Sequence, residues 1–165
     1  MSKILLVMRH AKSSWTDETL SDHDRPLNPR GLRDAPRMAA WLDAQDSVPD
    51  LILCSTALRA HTTAQILERE SSFSGPLLTY KKLYLGEPNA YLRLLAQLND
   101  DVETGMVVGH NPGLEGLIQK ICGVWEPMPT GAIAKIDLKI DRWLTAASVT
   151  DGELIGLWRP KEVLD

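Results

Sequence analysis

Apolar runs of strand length alternate with segments of helical periodicity along most of this chain. Residues 3–8, 50–54 and 105–109 are almost continuously apolar and too short for helices, which is typical of strands buried on both faces of a parallel sheet. Leu77–Tyr80 predicts a further short strand. Each of the three apolar runs ends at polar residues, so each predicted strand leads into a segment whose side chains can do chemistry.

Four segments have the apolar spacing of amphipathic helices. In the first, Asn28 is a candidate N-cap and Pro29 suits the first helical position, so we expect a helix that runs to about residue 45. The predicted buried face of this helix consists of Leu32, Ala35, Ala39 and Leu42. The other three helices are expected after residues 55–56, over residues 89–98, and over the leucine and isoleucine positions 114, 117, 118 and 121.

The C-terminal part of the chain has alternating polar and apolar positions. Residues 132–138, residues 144–149 and Glu153–Trp158 are therefore predicted to be strands that extend one edge of the sheet. Alternating strands and helices favour a layered α/β fold with a mainly parallel sheet. Because no linker or repeat interrupts the 165 residues, we expect residues 1–165 to form a single domain.

Composition narrows the classes of protein that the chain can belong to. Eighteen basic and 22 acidic residues give a formal net charge of -4, so we expect no nucleic-acid partner. No stretch approaches the ~20 apolar residues of a membrane span, so we expect no membrane partner and no anchor. Cys54 and Cys122 are far apart in the sequence and form no ligand cluster, which argues against a disulfide framework or zinc site and favours a cytoplasmic location.

Candidate catalytic residues follow the three apolar runs. Arg9 and His10 come after the first, Arg59 after the second and His110 after the third. Ligands of open α/β sheets bind beyond the carboxyl ends of the strands, so these side chains can converge on one crevice. Two arginines suit a phosphoryl group, because guanidinium forks match phosphate oxygens and stay charged. A histidine among arginines is expected to stay neutral, which leaves one ring nitrogen free to attack phosphorus.

Other polar residues have simpler structural interpretations. A lone histidine at a strand end is more often a loop residue with a satisfied hydrogen bond, and only the repeated strand-end placement favours catalysis here. His23 lies in the charged segment of residues 21–25, which is interpreted as a solvated loop. His61 is interpreted as a surface or packing residue of the second helix. Trp15 is close enough to Arg9 and His10 to line the entrance, although packing alone is the more common role of tryptophan.

Four segments, in order along the chain, resemble the motifs of the histidine phosphatase superfamily. They are residues 9–13 (Arg-His-Ala-Lys-Ser), similar to the Arg-His-Gly signature; residues 27–31 (Leu-Asn-Pro-Arg-Gly); residues 54–64, which contain Arg59; and residues 107–112, which contain His110. The short chain and its Arg-His-Ala-Lys-Ser start are similar to the compact SixA-like branch of phosphohistidine phosphatases. The resemblance implies the phosphoglycerate-mutase-like fold, a three-layer α/β/α sandwich with a mainly parallel central sheet.

The resemblance also implies roles for individual residues. His10 is expected to be the nucleophile that is transiently phosphorylated, and Arg9, Arg59 and His110 are expected to hold the phosphoryl oxygens, with Ser13 as a further phosphate ligand. No cofactor and no metal are expected. The implied substrate is a phosphohistidine on a protein partner.

Two departures from the family pattern bear on the substrate. Ala11 replaces glycine, which requires a backbone conformation that residues other than glycine can adopt. Many relatives carry an acidic proton donor after the second helix, whereas this chain has lysines there and Glu87 as the nearest candidate donor. A site without a strong proton donor favours a phosphoramidate substrate, because an imidazole that has been protonated beforehand leaves readily as a neutral group. A small-molecule phosphomonoester phosphatase and a non-catalytic phospho-ligand binding module remain the alternatives, and a small phosphorylated molecule remains an alternative partner.

Overall fold

A six-stranded sheet forms the middle layer of the protein in the computed structural model, which describes residues 2–164. The strands are β1 (Ile4–Arg9), β2 (Leu51–Ser55), β3 (Leu77–Tyr80), β4 (Thr104–Gly109), β5 (Ile133–Asp137) and β6 (Glu153–Trp158). Their order in the sheet is β3-β2-β4-β1-β5-β6. The first four are parallel to one another, while β5 is antiparallel to both β1 and β6. The prediction of a mainly parallel sheet is confirmed.

Helices cover both faces of this sheet. They are α1 (Pro29–Ala44), α2 (Leu58–Glu70), α3 (Pro88–Leu95), α4 (Gly113–Cys122) and the short α5 (Pro160–Val163), with 3₁₀ turns at Asp22–Asp24, Lys81–Leu83 and Trp143–Ser148. Alternate residues of β1 point to opposite sides: Leu5 and Val7 pack in a core with α3 and α4, whereas Leu6 and Met8 pack in a core with α1 and α2. Burial on both faces explains why the inner strands are continuously apolar, and the three-layer sandwich is confirmed.

Helix α1 begins as predicted, and three of the four positions predicted to be buried, Ala35, Ala39 and Leu42, are buried. The Asn28 side chain accepts a hydrogen bond from the Gly31 amide (2.8 Å), and Pro29 occupies the first turn. Leu32, which was predicted to be buried, is 53% exposed, and Met38 is fully buried instead. Gly31 faces the backbone of Lys12, and an added Cβ would lie 2.1 Å from the Lys12 carbonyl oxygen. Glycine here therefore allows α1 to pack against the segment that follows β1.

The strand predicted over residues 144–149 is wrong, because the chain forms a 3₁₀ helix at Trp143–Ser148. The Trp143 indole is fully buried and donates a hydrogen bond to the Val102 carbonyl oxygen (2.8 Å). Trp143 and Ala146 are both buried while Leu144 is 68% exposed, and this spacing of three suits a 3₁₀ helix. Helix α3 also ends three residues earlier than predicted, where hydrogen bonds of 3₁₀ type take over.

Two further features of residues 2–164 concern the helices and the cysteines. No helix in this range has both the length and the apolar content needed to cross a membrane. Cys54, in β2, and Cys122, at the end of α4, are both free thiols.

Candidate active site

The predicted catalytic side chains meet at the carboxyl ends of neighbouring parallel strands. His10 directly follows β1 and His110 directly follows β4, and their ring centroids are 5.2 Å apart. Arg59 lies in the first turn of α2, just beyond β2. These residues line a cavity of about 210 Å³. Its full lining is Arg9, His10, Lys12, Ser13, Trp15, Arg25, Arg59, Leu85, His110, Asn111 and Thr130.

The hydrogen bonds of His10 determine which ring nitrogen is free. Nδ1 lies 2.7 Å from the Ala11 carbonyl oxygen, which can only accept, so Nδ1 carries the proton and Nε2 keeps its lone pair. The Nε group of Arg59 lies 3.4 Å from that Nε2. Burial, with smaller contributions from the charges of His110 and Arg59, lowers the pKa of His10 to about 3. At neutral pH the ring is therefore uncharged and can act as a nucleophile.

His110 is held from both its backbone and its ring. Its amide donates to the Tyr91 hydroxyl (3.3 Å), and its Nε2 lies 2.7 Å from Ser55 Oγ. A Cβ on Gly109 would lie 2.1 Å from that same hydroxyl, so glycine is required where β4 leads into His110. Burial and the charge of Arg59 lower the pKa of His110 to about 4, which leaves this ring neutral as well.

The two predicted arginines supply the positive charge beside the histidines. Arg59 is only 3% exposed and uses three of its five N–H groups: one toward His10, one to the Asp22 carbonyl oxygen (2.6 Å) and one to Asp22 Oδ2 (3.0 Å). Among the described residues none accepts the other two N–H groups of Arg59, which are therefore available to a ligand. Arg9 donates from Nη1 to the Met128 carbonyl oxygen (3.2 Å). Burial lowers the pKa of Arg9 somewhat, but a guanidinium remains charged at neutral pH.

Asp22 anchors this arrangement, and the sequence interpretation missed it. Besides Arg59, its carboxylate accepts hydrogen bonds from the Tyr84 hydroxyl (2.6 Å) and from Arg25 Nε (3.1 Å). Partial burial raises the pKa of Asp22, but the hydrogen bonds from Tyr84 and Arg59 lower it to about 2. The interpretation of residues 21–25 as a solvated loop is therefore wrong. One feature of the sequence could have indicated the role of Asp22, namely its position directly before residues 27–31. The backbone of those residues folds back onto the segment after β1.

His23, in the same segment, also has a defined place. Its Nε2 lies 2.9 Å from Thr56 Oγ1, and its ring packs edge-on against Tyr84 with centroids 4.8 Å apart. His23 thus joins the segment of residues 21–25 to the loop between β2 and α2. It does not belong to the set of described residues that line the cavity.

The remaining predicted residues have different outcomes. Ser13 lines the cavity, is 6% exposed, and accepts a hydrogen bond from Arg25 Nη1 (2.8 Å). Glu87 is exposed at the N-terminus of α3, outside the described residues that line the cavity. Ala11 is fully buried and is not among the described residues with positive φ, so alanine replaces glycine here without backbone strain.

Within residues 2–164, no group of three or more His, Cys, Asp and Glu side chains is placed so that it could hold a metal ion.

Comparison with known proteins identifies the family of this chain. A family model described as "Histidine phosphatase superfamily (branch 1)" matches residues 5–83. The uncharacterized protein Rv1276c of Mycobacterium tuberculosis is 32% identical over 155 residues, which cover 94% of this chain and 92% of that protein. The chain therefore belongs to the histidine phosphatase superfamily, and the family resemblance of its motifs is confirmed.

Two further relatives are described as SixA proteins. Phosphohistidine phosphatase SixA of Escherichia coli is 29% identical over 140 residues, which cover 81% of this chain and 84% of that protein. The structure of a candidate SixA phosphohistidine phosphatase from Nakamurella multipartitia superimposes with a TM-score of 0.86 at 26% identity and covers 97% of both chains. Within the superfamily this chain is thus SixA-like, and family membership supports phosphatase activity.

Proposed function

We propose that this protein is a phosphohistidine phosphatase that acts on a phosphorylated protein through a covalent intermediate on His10. The observation that carries the proposal is the placement of a neutral His10, with Nε2 unprotonated, between Arg59 and His110 in one cavity. A phosphoryl group in this cavity would meet a nucleophile and several positive or hydrogen-bonding groups together.

In the first step His10 Nε2 attacks phosphorus. The new N–P bond forms as the bond between phosphorus and the substrate's ring nitrogen breaks, and that bond's electron pair returns to the substrate ring. When the substrate ring has been protonated beforehand, it leaves as neutral imidazole. Arg9, the free N–H groups of Arg59 and His110 stabilise charge on the equatorial phosphoryl oxygens, and losing one such group commonly costs ~10²–10³ in rate.

In the second step water hydrolyses the phosphohistidine of the enzyme. The water oxygen bonds to phosphorus, the His10 Nε2–P bond breaks, and Nε2 recovers its lone pair, while the water proton passes to solvent or phosphate. Because Nδ1 of His10 keeps its hydrogen bond to the Ala11 carbonyl oxygen, the ring has the same orientation in both steps.

The lack of a proton donor among the described residues that line the cavity supports a phosphoramidate substrate. No Asp or Glu belongs to the cavity lining formed by the described residues. Asp22, which binds Arg59, has a pKa of about 2 and so cannot supply a proton at neutral pH. An alkoxide leaving from a phosphate ester needs a general acid worth ~10²–10⁴ in rate, whereas a protonated imidazole does not.

The test compares the wild type with His10→Ala, using His61→Ala as a control on a half-buried histidine outside the cavity. The substrates are a histidine-containing protein phosphorylated chemically with phosphoramidate, a phosphoserine peptide and a sugar phosphate. We expect phosphate release from the first substrate and an alkali-stable, acid-labile phosphoenzyme, both absent in His10→Ala and present in His61→Ala.

Other results would identify the alternatives. Preference for the sugar phosphate, still dependent on His10, would make the protein a small-molecule phosphomonoester phosphatase. Binding of inorganic phosphate without turnover of any of the three substrates would make it a binding module.

A further inference from the structure

An exposed tryptophan lies at the mouth of the cavity. Trp15 is 69% exposed, although its indole is among the most strongly apolar side chains, and it lines the same cavity as His10. Leu85 is a second exposed apolar side chain in that lining, at 57%. Leu85 also has a positive φ of 51°, a conformation that side-chain-bearing residues rarely adopt and that is enriched at functional sites. Two exposed apolar side chains therefore lie at the mouth of this cavity, while buried cationic side chains line its interior.

The Trp15 ring is held in place by an arginine that is itself fixed. The Arg25 guanidinium lies 3.4 Å from the centroid of the Trp15 ring. Arg25 is only 7% exposed and donates to Ser13 Oγ (2.8 Å), the Ser14 carbonyl oxygen (3.3 Å) and Asp22 Oδ1 (3.1 Å). These bonds fix the planar cation against one face of the indole. The exposure of the ring leaves its remaining surface open, and a pre-oriented ring loses little freedom on binding.

We propose that Trp15 is a specificity-determining residue that stacks on the imidazole ring of the substrate phosphohistidine; this inference rests on the proposed function. With the phosphoryl group beside His10, the leaving ring extends toward the mouth, where Trp15 lies. One water needs about 10–15 Å³ of such cavity volume, so the cavity of about 210 Å³ has room for a phosphoryl group with a ring beyond it. A protonated imidazole is planar and cationic, and tryptophan binds such groups best.

Two small substrates separate stacking from general damage to the site. The two compounds carry the same phosphoryl group. The leaving group is an imidazole ring in the amino acid phosphohistidine and ammonia in phosphoramidate. We expect Trp15→Ala to lower kcat/KM for phosphohistidine by roughly two- to tenfold and to leave kcat/KM for phosphoramidate unchanged. Trp15→Phe, which keeps an aromatic ring, should retain most of the activity on phosphohistidine. Trp125→Ala is the control, because Trp125 is 58% exposed but lies outside the cavity lining.

The outcomes separate this inference from the proposed function. If wild type hydrolyses phosphohistidine and Trp15→Ala loses equally on both substrates, or on neither, the stacking role is refuted and the proposed function stands. If wild type hydrolyses neither phosphohistidine nor the phosphorylated protein, both are refuted. If it hydrolyses only the protein, that protein replaces phosphohistidine in the same comparison. A thermal denaturation curve for each variant shows whether it is folded.

Discussion

Replacing Asp22 by asparagine tests whether this carboxylate orients Arg59, the proposed phosphate ligand. Asp22 lies 3.0 Å from Arg59 Nη2 through its side chain and 2.6 Å from Nη1 through its carbonyl oxygen. The substitution removes the charge but keeps the size of the side chain, and the carbonyl contact is unaffected. The Arg59 guanidinium would then be held at one nitrogen by a backbone oxygen and at the other by a neutral amide oxygen.

The size of the effect follows from the contacts that change. A hydrogen bond to a charged group contributes about 1.5–3 kcal/mol, and the 39% exposure of the Asp22 side chain places this bond at the low end. A loss of about 1.4 kcal/mol in the orientation of Arg59 corresponds to a roughly tenfold lower kcat. KM should change much less, because Arg59 itself and its charge remain.

The assay is steady-state phosphate release by Asp22→Asn and by Asp24→Asn. Asp24 is a matched control, because it is two residues away and its carboxylate, 64% exposed, contacts the His23 ring at 3.3 Å and neither Arg59 nor Arg25. Thermal denaturation of both variants shows whether either loses its fold. Equal kcat values for the two variants, with both proteins folded, would refute the role given to Asp22.

Three further predictions concern stability and assembly of the site. The pKa of His10 is lowered from 6.5 to about 3, so between these pH values the unfolded chain binds more protons than the folded protein. The free energy of unfolding should therefore fall as the pH drops below about 6.5. His10→Asn should reduce this pH dependence in urea denaturation at pH 7 and pH 5, and an equal dependence in both proteins would contradict the prediction. Gly109→Ala should lower both activity and Tm, because the added Cβ would lie 2.1 Å from the Tyr91 hydroxyl oxygen. Adding Tyr91→Phe should restore part of both, and a double variant no better than Gly109→Ala would exclude this clash as the cause. Leu42 is 1% exposed, so Leu42→Ala should reduce the free energy of unfolding by about 2–5 kcal/mol. Leu32 is 53% exposed, so Leu32→Ala should change it by less than about 0.5 kcal/mol. Similar losses in the two variants would show that the assignment of the buried face of α1 is incorrect.

The parts of the fold that the sequence predicts well are those governed by local pattern. Strand β1 is recognisable because both of its faces are buried, and the start of α1 because Asn28 and Pro29 act within one turn. The strand ends bring His10 and His110 together, since parallel neighbours end at the same edge of the sheet. The convergence of the four central side chains was therefore predictable.

The parts that were not predictable depend on contacts between distant positions. Asp22 meets Arg59 across 37 positions and Tyr84 across 62, and nothing in the charged segment around Asp22 signals either partner. Trp143 likewise forms a 3₁₀ helix because its indole reaches Val102, 41 positions away. In both cases a tertiary contact determines the local structure, and the local pattern alone indicates a different one.

The position of β1 between β4 and β5 has a consequence for the order in which the protein assembles during synthesis. The amide of His10 donates to the Gly109 carbonyl oxygen (3.2 Å), and the carbonyl oxygen of His10 accepts from the Gly131 amide (3.0 Å). His10 is thus translated before both of its backbone partners, which lie in β4 and in the segment just before β5. Such long-range pairing slows folding, so the nascent chain contains His10 early but fixes its backbone only after Gly131 has been translated.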